Sequence, residues 1–166
     1  TKNNTGSLVI TNTNTYTGTT TIGTGNTLRL GDGTTDGSIA STTDIINNGT
    51  LVYNRVGTTF TYSGVISGSG SLVKEGIGTQ LLGAANTYSG GTTINAGDFQ
   101  ISNGNAFGTG PLTLTAGAIT ARIASRTVPN PVTMSGDFTL NTITAGGNVL
   151  TLSGNCLLYT SDAADD

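Results

Sequence analysis

Histidine and tryptophan are absent from the 166 residues of this chain, cysteine occurs once, and charged side chains make up only 9%. Without histidine there is no Ser–His or Cys–His nucleophile, and no side chain whose ordinary pKa suits proton transfer near neutrality. The basic residues Lys2, Arg29, Arg55, Lys74, Arg122 and Arg126 are scattered. Nucleic acid needs Lys and Arg in clusters that displace counterions, so no nucleic-acid partner is expected. Apolar runs such as Leu8-Val9-Ile10 fall far short of the roughly 20 residues of a membrane-spanning helix. No membrane-spanning segment is expected, and any targeting signal is expected to lie outside these residues.

The formal charge of −3 belongs to the last positions, Asp162, Asp165 and Asp166. Elsewhere Asp32, Asp36, Asp44, Glu75, Asp98 and Asp137 balance the basic residues, leaving a neutral body.

What the chain has in quantity is threonine, about a fifth of all residues, and glycine, 26 in number. β-Branched residues favour a pleated, half-buried surface, while Gly and Asn favour turns. Short segments alternate apolar with polar residues and end at Gly or Asn: TLRL (27–30), GTLVY (49–53), GSLVK (70–74), DFQIS (98–102), PLTLT (111–115), PVTMSGDFTL (131–140) and NVLTLSG (148–154). A period of two puts Leu28 with Leu30, Leu112 with Leu114, and Phe138 with Leu140 on one buried face. No stretch carries a helical period.

The chain also repeats itself. Residues 6–25 align without gaps on 78–97, with Asn14/Asn86, Tyr16/Tyr88, Gly18/Gly90 and Ile22/Ile94 among the identities. A second echo pairs TYSG (61–64) with TLSG (151–154). Repetition favours a solenoid, in which each coil buries its apolar face only by stacking on the next. Coils of about twenty residues at a strand spacing of ~4.8 Å make about seven coils and a rod on the order of 35 Å.

The run from Ser63 to Leu114, with G-x-G-x-L-x-K at 68–74 and ANTYSGGTTINAG at 85–97, resembles the passenger-associated transport repeat of autotransporters. Residues 6–30 carry a weaker copy, paired with 78–101, and 117–155 follow the family only in style. Two positions depart from the family's pattern, Phe99 and Gln80. The resemblance implies an all-β fold, a right-handed parallel β-helix that is a fragment of a longer rod. It implies a structural or adhesive stalk of a type V secreted passenger, displayed at the bacterial surface. Its partners would be its own C-terminal β-barrel translocator, absent from this sequence, and a host or neighbouring-cell surface.

At Cys156 the composition breaks. CLLYTSDAADD (156–166) resembles the translation of a sequencing-library adapter, so residues 1–155 are read as the passenger fragment and 156–166 as a non-native tail. That tail is expected to be loosely packed, because its aspartates do not suit a buried strand register.

No catalytic residue, cofactor site or cofactor is expected, and the chain is read as not an enzyme. Asp32 and Asp36, in GDGTTDGS, are the one candidate metal loop, since calcium takes oxygens from a flexible turn. An ordinary polar turn is the competing reading. Asp98 and Asp137 would be the carboxylates of a polysaccharide-acting β-helix enzyme if coil register made them neighbours. Thr11, Thr13, Thr15 and Thr17, echoed at Thr113 and Thr115, would form an ice-binding array if they recurred coil after coil. Tyr16 and Tyr88 are expected to pack between coils, Lys74 and Glu75 to form a solvated pair, and Arg122 and Arg126 to be exposed.

Overall fold

In a computed structural model, which describes residues 5–143 and 148–158, the alternating segments become strands numbered β1 to β18, and every strand pairing is parallel. They wind around three faces. The first face is an eight-stranded sheet of β1 (Gly6–Ile10), β3 (Asn26–Leu30), β5 (Thr50–Tyr53), β8 (Ser71–Lys74), β10 (Thr92–Ile94), β12 (Leu112–Leu114), β15 (Val132–Met134) and β18 (Cys156–Leu158). The second holds β6 (Phe60–Tyr62), β9 (Thr79–Leu82), β11 (Asp98–Ile101), β13 (Gly117–Ala121) and β16 (Phe138–Thr142). The third is divided between β2 (Thr20–Ile22), β4 (Ile45–Asn47) and β7 (Ile66–Ser67) and, farther along, β14 (Arg126–Val128) and β17 (Leu150–Leu152).

Register fixes the coil length. Partners on the first face are 20 residues apart at Gly6/Asn26, 23 at Thr27/Thr50, 21 at Thr50/Ser71, 20 at Leu72/Thr92, Thr92/Leu112 and Leu112/Val132, and 24 at Val132/Cys156. Seven coils of a parallel β-solenoid result, as the alternating segments lead one to expect. The long second coil carries its additional residues in the loop between Leu30 and Ile45.

Inward positions stack in columns. Leu28, Leu51, Leu72, Thr92 and Leu112 form one; Leu30, Tyr53, Lys74, Ile94 and Leu114 form the next. Each aliphatic side chain so buried contributes about 1.5–3 kcal/mol. Mid-rod, the core is aromatic: Tyr53 meets Phe99 edge-on at 6.1 Å and Phe99 meets Phe107 at 5.7 Å. Phe99, one departure from the family pattern, is thus the hinge of this cluster. Phe138 and Leu140 fall short of full burial, Leu140 being 42% exposed, because β16 is the last strand of its sheet.

Asparagine works by a route other than the turn conformation expected of it. The described residues with left-handed φ are nine glycines and Ile123. Corner asparagines bridge coils with their amides instead. Asn86 Oδ1 accepts from Ile66 N at 2.8 Å while its Nδ2 donates to Ala106 O at 2.6 Å, joining three consecutive coils. Asn47 donates to Ser71 O at 2.8 Å and Asn130 to Gly110 O at 2.7 Å.

The sequence echo does not mark a whole number of coils. β1, β2 and β3 lie on the first, third and first faces, but their echoes β9, β10 and β11 lie on the second, first and second. The unit repeated is strand–corner–strand, turned by one face. Its local geometry is kept: Gly25 and Gly97 close the two corners at φ 75° and 70°. A Cβ at Gly97 would strike the Gly76 carbonyl and the Lys74 amine.

Cys156–Leu158 differs from expectation. These residues continue the first face in register with Val132–Met134, though all three are exposed. Parallel pairing asks little of side chains at a sheet's last strand, and C-L-L has none that opposes it. Asp162, Asp165 and Asp166 lie outside the described residues.

Deleting residues 112–131, which joins Pro111 to Val132 where Pro131 now precedes it, removes one coil without shifting any column. The shortened chain is expected to keep its β circular dichroism and a cooperative melt, with a Tm lower by several degrees. Loss of the β signal would sink the solenoid account.

Candidate functional site on the outer face of the second sheet

Because strands alternate, the second sheet turns Leu81, Gln100, Thr120 and Asn141 outward in one row, and Thr79, Asp98, Ala118 and Thr139 in another. Two coils of this face are tied by a polar chain. Asp98 accepts from Thr120 Oγ1 at 2.8 Å and from Gln100 Nε2 at 3.1 Å, and Gln100 Oε1 accepts from Arg122 Nη1 at 3.2 Å. Gln100 and Thr120 are buried by these neighbours, and Asp98 and Arg122 are half-buried.

Asp137 is not brought to this site. Asp98 stands opposite Ala118, and Ala118 opposite Thr139, so Asp137 lies two coils on, before β16 begins, and is exposed. Among the described residues no three metal-ligating side chains gather.

Asp32 and Asp36 serve different partners. Asp32 Oδ1 accepts from Thr34 N (2.8 Å), Thr34 Oγ1 (2.7 Å) and Thr35 N (2.6 Å), closing its own turn, and the Thr35 and Thr34 hydrogen bonds hold its carboxyl below the ordinary value. Asp36 reaches the next coil. Its Oδ2 pairs with Arg55 at 3.0 Å and its Oδ1 accepts from Val56 N at 2.8 Å, while Arg55 also lies 4.7 Å from the Phe60 ring centre. The pair pins the long second coil to the third.

Threonines 11, 13, 15 and 17 do not form a strand. Only Thr13 makes a bridge, to Ser38, and all four are exposed. Thr113 instead stands between Thr93 and Thr133 in a single outward column of the first face. The tyrosines are used as repeat position suggests. Tyr88 is fully buried with its hydroxyl 2.5 Å from Thr92 Oγ1, and Tyr16 makes the same bond to Thr20 at 2.7 Å but is 42% exposed in the first coil.

The expected surface pair of Lys74 and Glu75 is not formed. Lys74 is 0% exposed, because it follows Leu72 by two residues and so shares its inward face. Its Nζ donates to the Gly76 carbonyl and, at 3.4 Å, to that of Ala96. Loss of water in the core lowers its pKa to about 8, against the pull of Asp98 and with some help from Arg55. Glu75 pairs with Arg29 from two coils away. Between them Val52, which points outward, is left only 3% exposed. Arg122 and Arg126 are half-buried rather than exposed.

Comparison with known proteins finds similarity at the level of sequence. Residues 1–30 and 72–101 match the Passenger-associated-transport-repeat family. The Adhesin BmaC autotransporter of Brucella suis biovar 1 (strain 1330) is 45% identical over 136 residues, which takes in 63% of this chain and 4% of that protein. The chain therefore spans a small part of the length of the relative it matches. No solved structure matches it. At residues 1–30 and 72–101 the chain is thus similar to passenger-associated-transport repeats, and over a longer stretch to an autotransporter adhesin.

Lys74 gives the rod a measurable alkaline signature. With the folded pKa lowered to about 8 from 10.5, the folded chain sheds this proton while the unfolded chain keeps it. Stability is thus expected to rise between pH 8 and 10, by on the order of 2 kcal/mol. Above pH 10 it falls, because burial raises the hydroxyl pKa of Tyr53, Tyr62 and Tyr88 and the unfolded chain loses those protons first. Lys74→Met should flatten the rise in a urea-melt pH series. A variant profile parallel to that of the parent would show that Lys74 is not its source.

Proposed function

We propose that these repeats form a stalk segment of an autotransporter passenger displayed at the bacterial surface, acting mechanically to extend or present an adhesive surface. The observation that carries this reading is a core left open along the rod axis. In the first coil a cavity of about 790 Å³ is lined by the inward Leu8 and Ile10 with Tyr16 and Asn14. At the other end Leu140, which continues an inward column, is 42% exposed. Apolar positions of that kind suit further coils stacked above and below.

On this reading a C-terminal translocator barrel of the same polypeptide carries the rod across the outer membrane, and the segment contributes no catalysis. Coils that fold outside the cell, each templated by the last, would oppose back-sliding during export. The name of the Brucella relative supports an adhesive role. The break in composition at Cys156 supports treating 156–166 as an appendage to the repeats. A polysaccharide-acting enzyme is disfavoured by the separation of Asp98 from Asp137, and ice binding by the failure of Thr11, Thr13, Thr15 and Thr17 to form a strand.

The whole chain fused upstream of an autotransporter barrel in a Gram-negative host should become sensitive to protease added to intact cells. Retention inside the outer membrane would overturn the stalk reading. Turnover of polygalacturonate by the purified chain would overturn its inertness.

A further inference from the structure

Arg29 and Arg55 each hold a carboxylate, from Glu75 and Asp36 respectively. Arg122 and Arg126 hold none among the described residues. Arg122 Nη1 donates to the Gln100 amide at 3.2 Å, Arg126 Nη1 donates to Ser125 O at 3.1 Å, and Arg126 Nε is buried without a partner. The carboxylate of the polar row, Asp98, has both oxygens occupied by Thr120 and Gln100. It reaches Arg122 only through that amide. A guanidinium carries five N–H donors, so most of those on Arg122 remain available while its position is fixed.

The corner between the two arginines is strained. Ile123 has φ 74°, Ala124 N donates to Arg122 O at 2.9 Å, and the Ile123 side chain is 72% exposed. This is a γ-turn of the rare hand, with a β-branched residue at its centre. Such a conformation costs about 1–3 kcal/mol and persists where its surroundings impose it. Here the ladder does so on both sides, through Arg122 N to Ile101 O and Arg126 N to Val149 O, each at 2.9 Å.

We infer that this corner binds the sulfate or carboxylate group of an anionic polysaccharide lying along the rod on the second face. The planar guanidinium fork of Arg122 matches either anion in bidentate fashion. Beside it the exposed Asn141, one coil on at ~4.8 Å, presents an uncharged donor and acceptor, while Gln100 and Thr120, buried and bonded to Asp98, hold the guanidinium in place through the Gln100 amide. Ile123 offers an apolar edge for a ring face. Two cations on a neutral body are too few for a nucleic-acid duplex or an anionic membrane, both of which need a basic cluster. The inference borrows from the stalk reading only the setting in which glycan is met.

The test titrates the whole chain with a heparin-derived oligosaccharide (sulfate), an oligogalacturonate (carboxylate) and dextran (neutral), by calorimetry. Saturable binding is expected to one or both of the first two and not to dextran. Arg122→Gln should weaken it about tenfold, the loss of one charge-assisted contact, and Gln100→Ala should weaken it by a smaller factor. Arg29→Gln, which removes the same charge from the first face, should change it less than twofold. Should Arg122→Gln fail to fold by circular dichroism, Arg122→Lys and Arg126→Gln supply the comparison. Equal binding of dextran, an equal effect of Arg29→Gln, or no saturable binding overturns the site. So does Arg122-dependent binding to duplex DNA or anionic vesicles alone. A chain that reaches the cell surface yet binds neither anionic glycan overturns this inference and leaves the stalk reading standing.

Discussion

The parallel backbone ladder, in register from coil to coil, is the constraint on which everything else in this protein rests. Once residue 72 is paired with 92 and 92 with 112, every inward position is obliged to stack on its counterpart, and each column must be filled without gaps. Composition follows from that obligation. Short β-branched strands satisfy the ladder, corner asparagines bond carbonyls that the ladder cannot reach, and charge is disfavoured at the inward positions. Lys74 shows the severity of the rule. The column admits a lysine only by turning its amine onto the backbone carbonyls of Gly76 and Ala96 and easing its charge.

Side-chain contacts outside the core act mainly to hold departures from the twenty-residue coil. The second coil exceeds its neighbours, and its surplus is held down by Asp36 against Arg55 and by Asp32 against Thr34 and Thr35. Arg29 and Glu75 span a coil to roof Val52. Both pairs keep some contact with water, and ion pairs at the surface are individually weak, typically below ~1 kcal/mol. Their value lies in fixing where a loop sits on an otherwise uniform prism.

Alternation made the strands, the coil length and the paired burial of Leu28 with Leu30 or Leu112 with Leu114 legible from sequence. The same rule, followed through S-L-V-K, would have turned Lys74 inward with Leu72. The expectation of a solvated pair arose from treating its charge as stronger evidence than its period. The polar chain on the second face was not legible. Asp98, Gln100, Thr120 and Arg122 are drawn from two coils and meet only through register, which no local pattern reveals. Nor did the echo between residues 6–25 and 78–97 disclose that its copies occupy different faces, because the corner it encodes fits any edge of the prism equally well.

That freedom of placement bears on how a long array of such units would look from outside. If a duplicated segment advances by one face rather than by whole turns, identical surface residues point to different compass bearings along the rod. Tyr16 and Tyr88, the first exposed and the second buried, already lie at different edges for this reason. A fibre grown by such duplications carries its decorations around its circumference like leaves on a stem. It can then meet a neighbouring surface from any side, with no need to be oriented about its own axis.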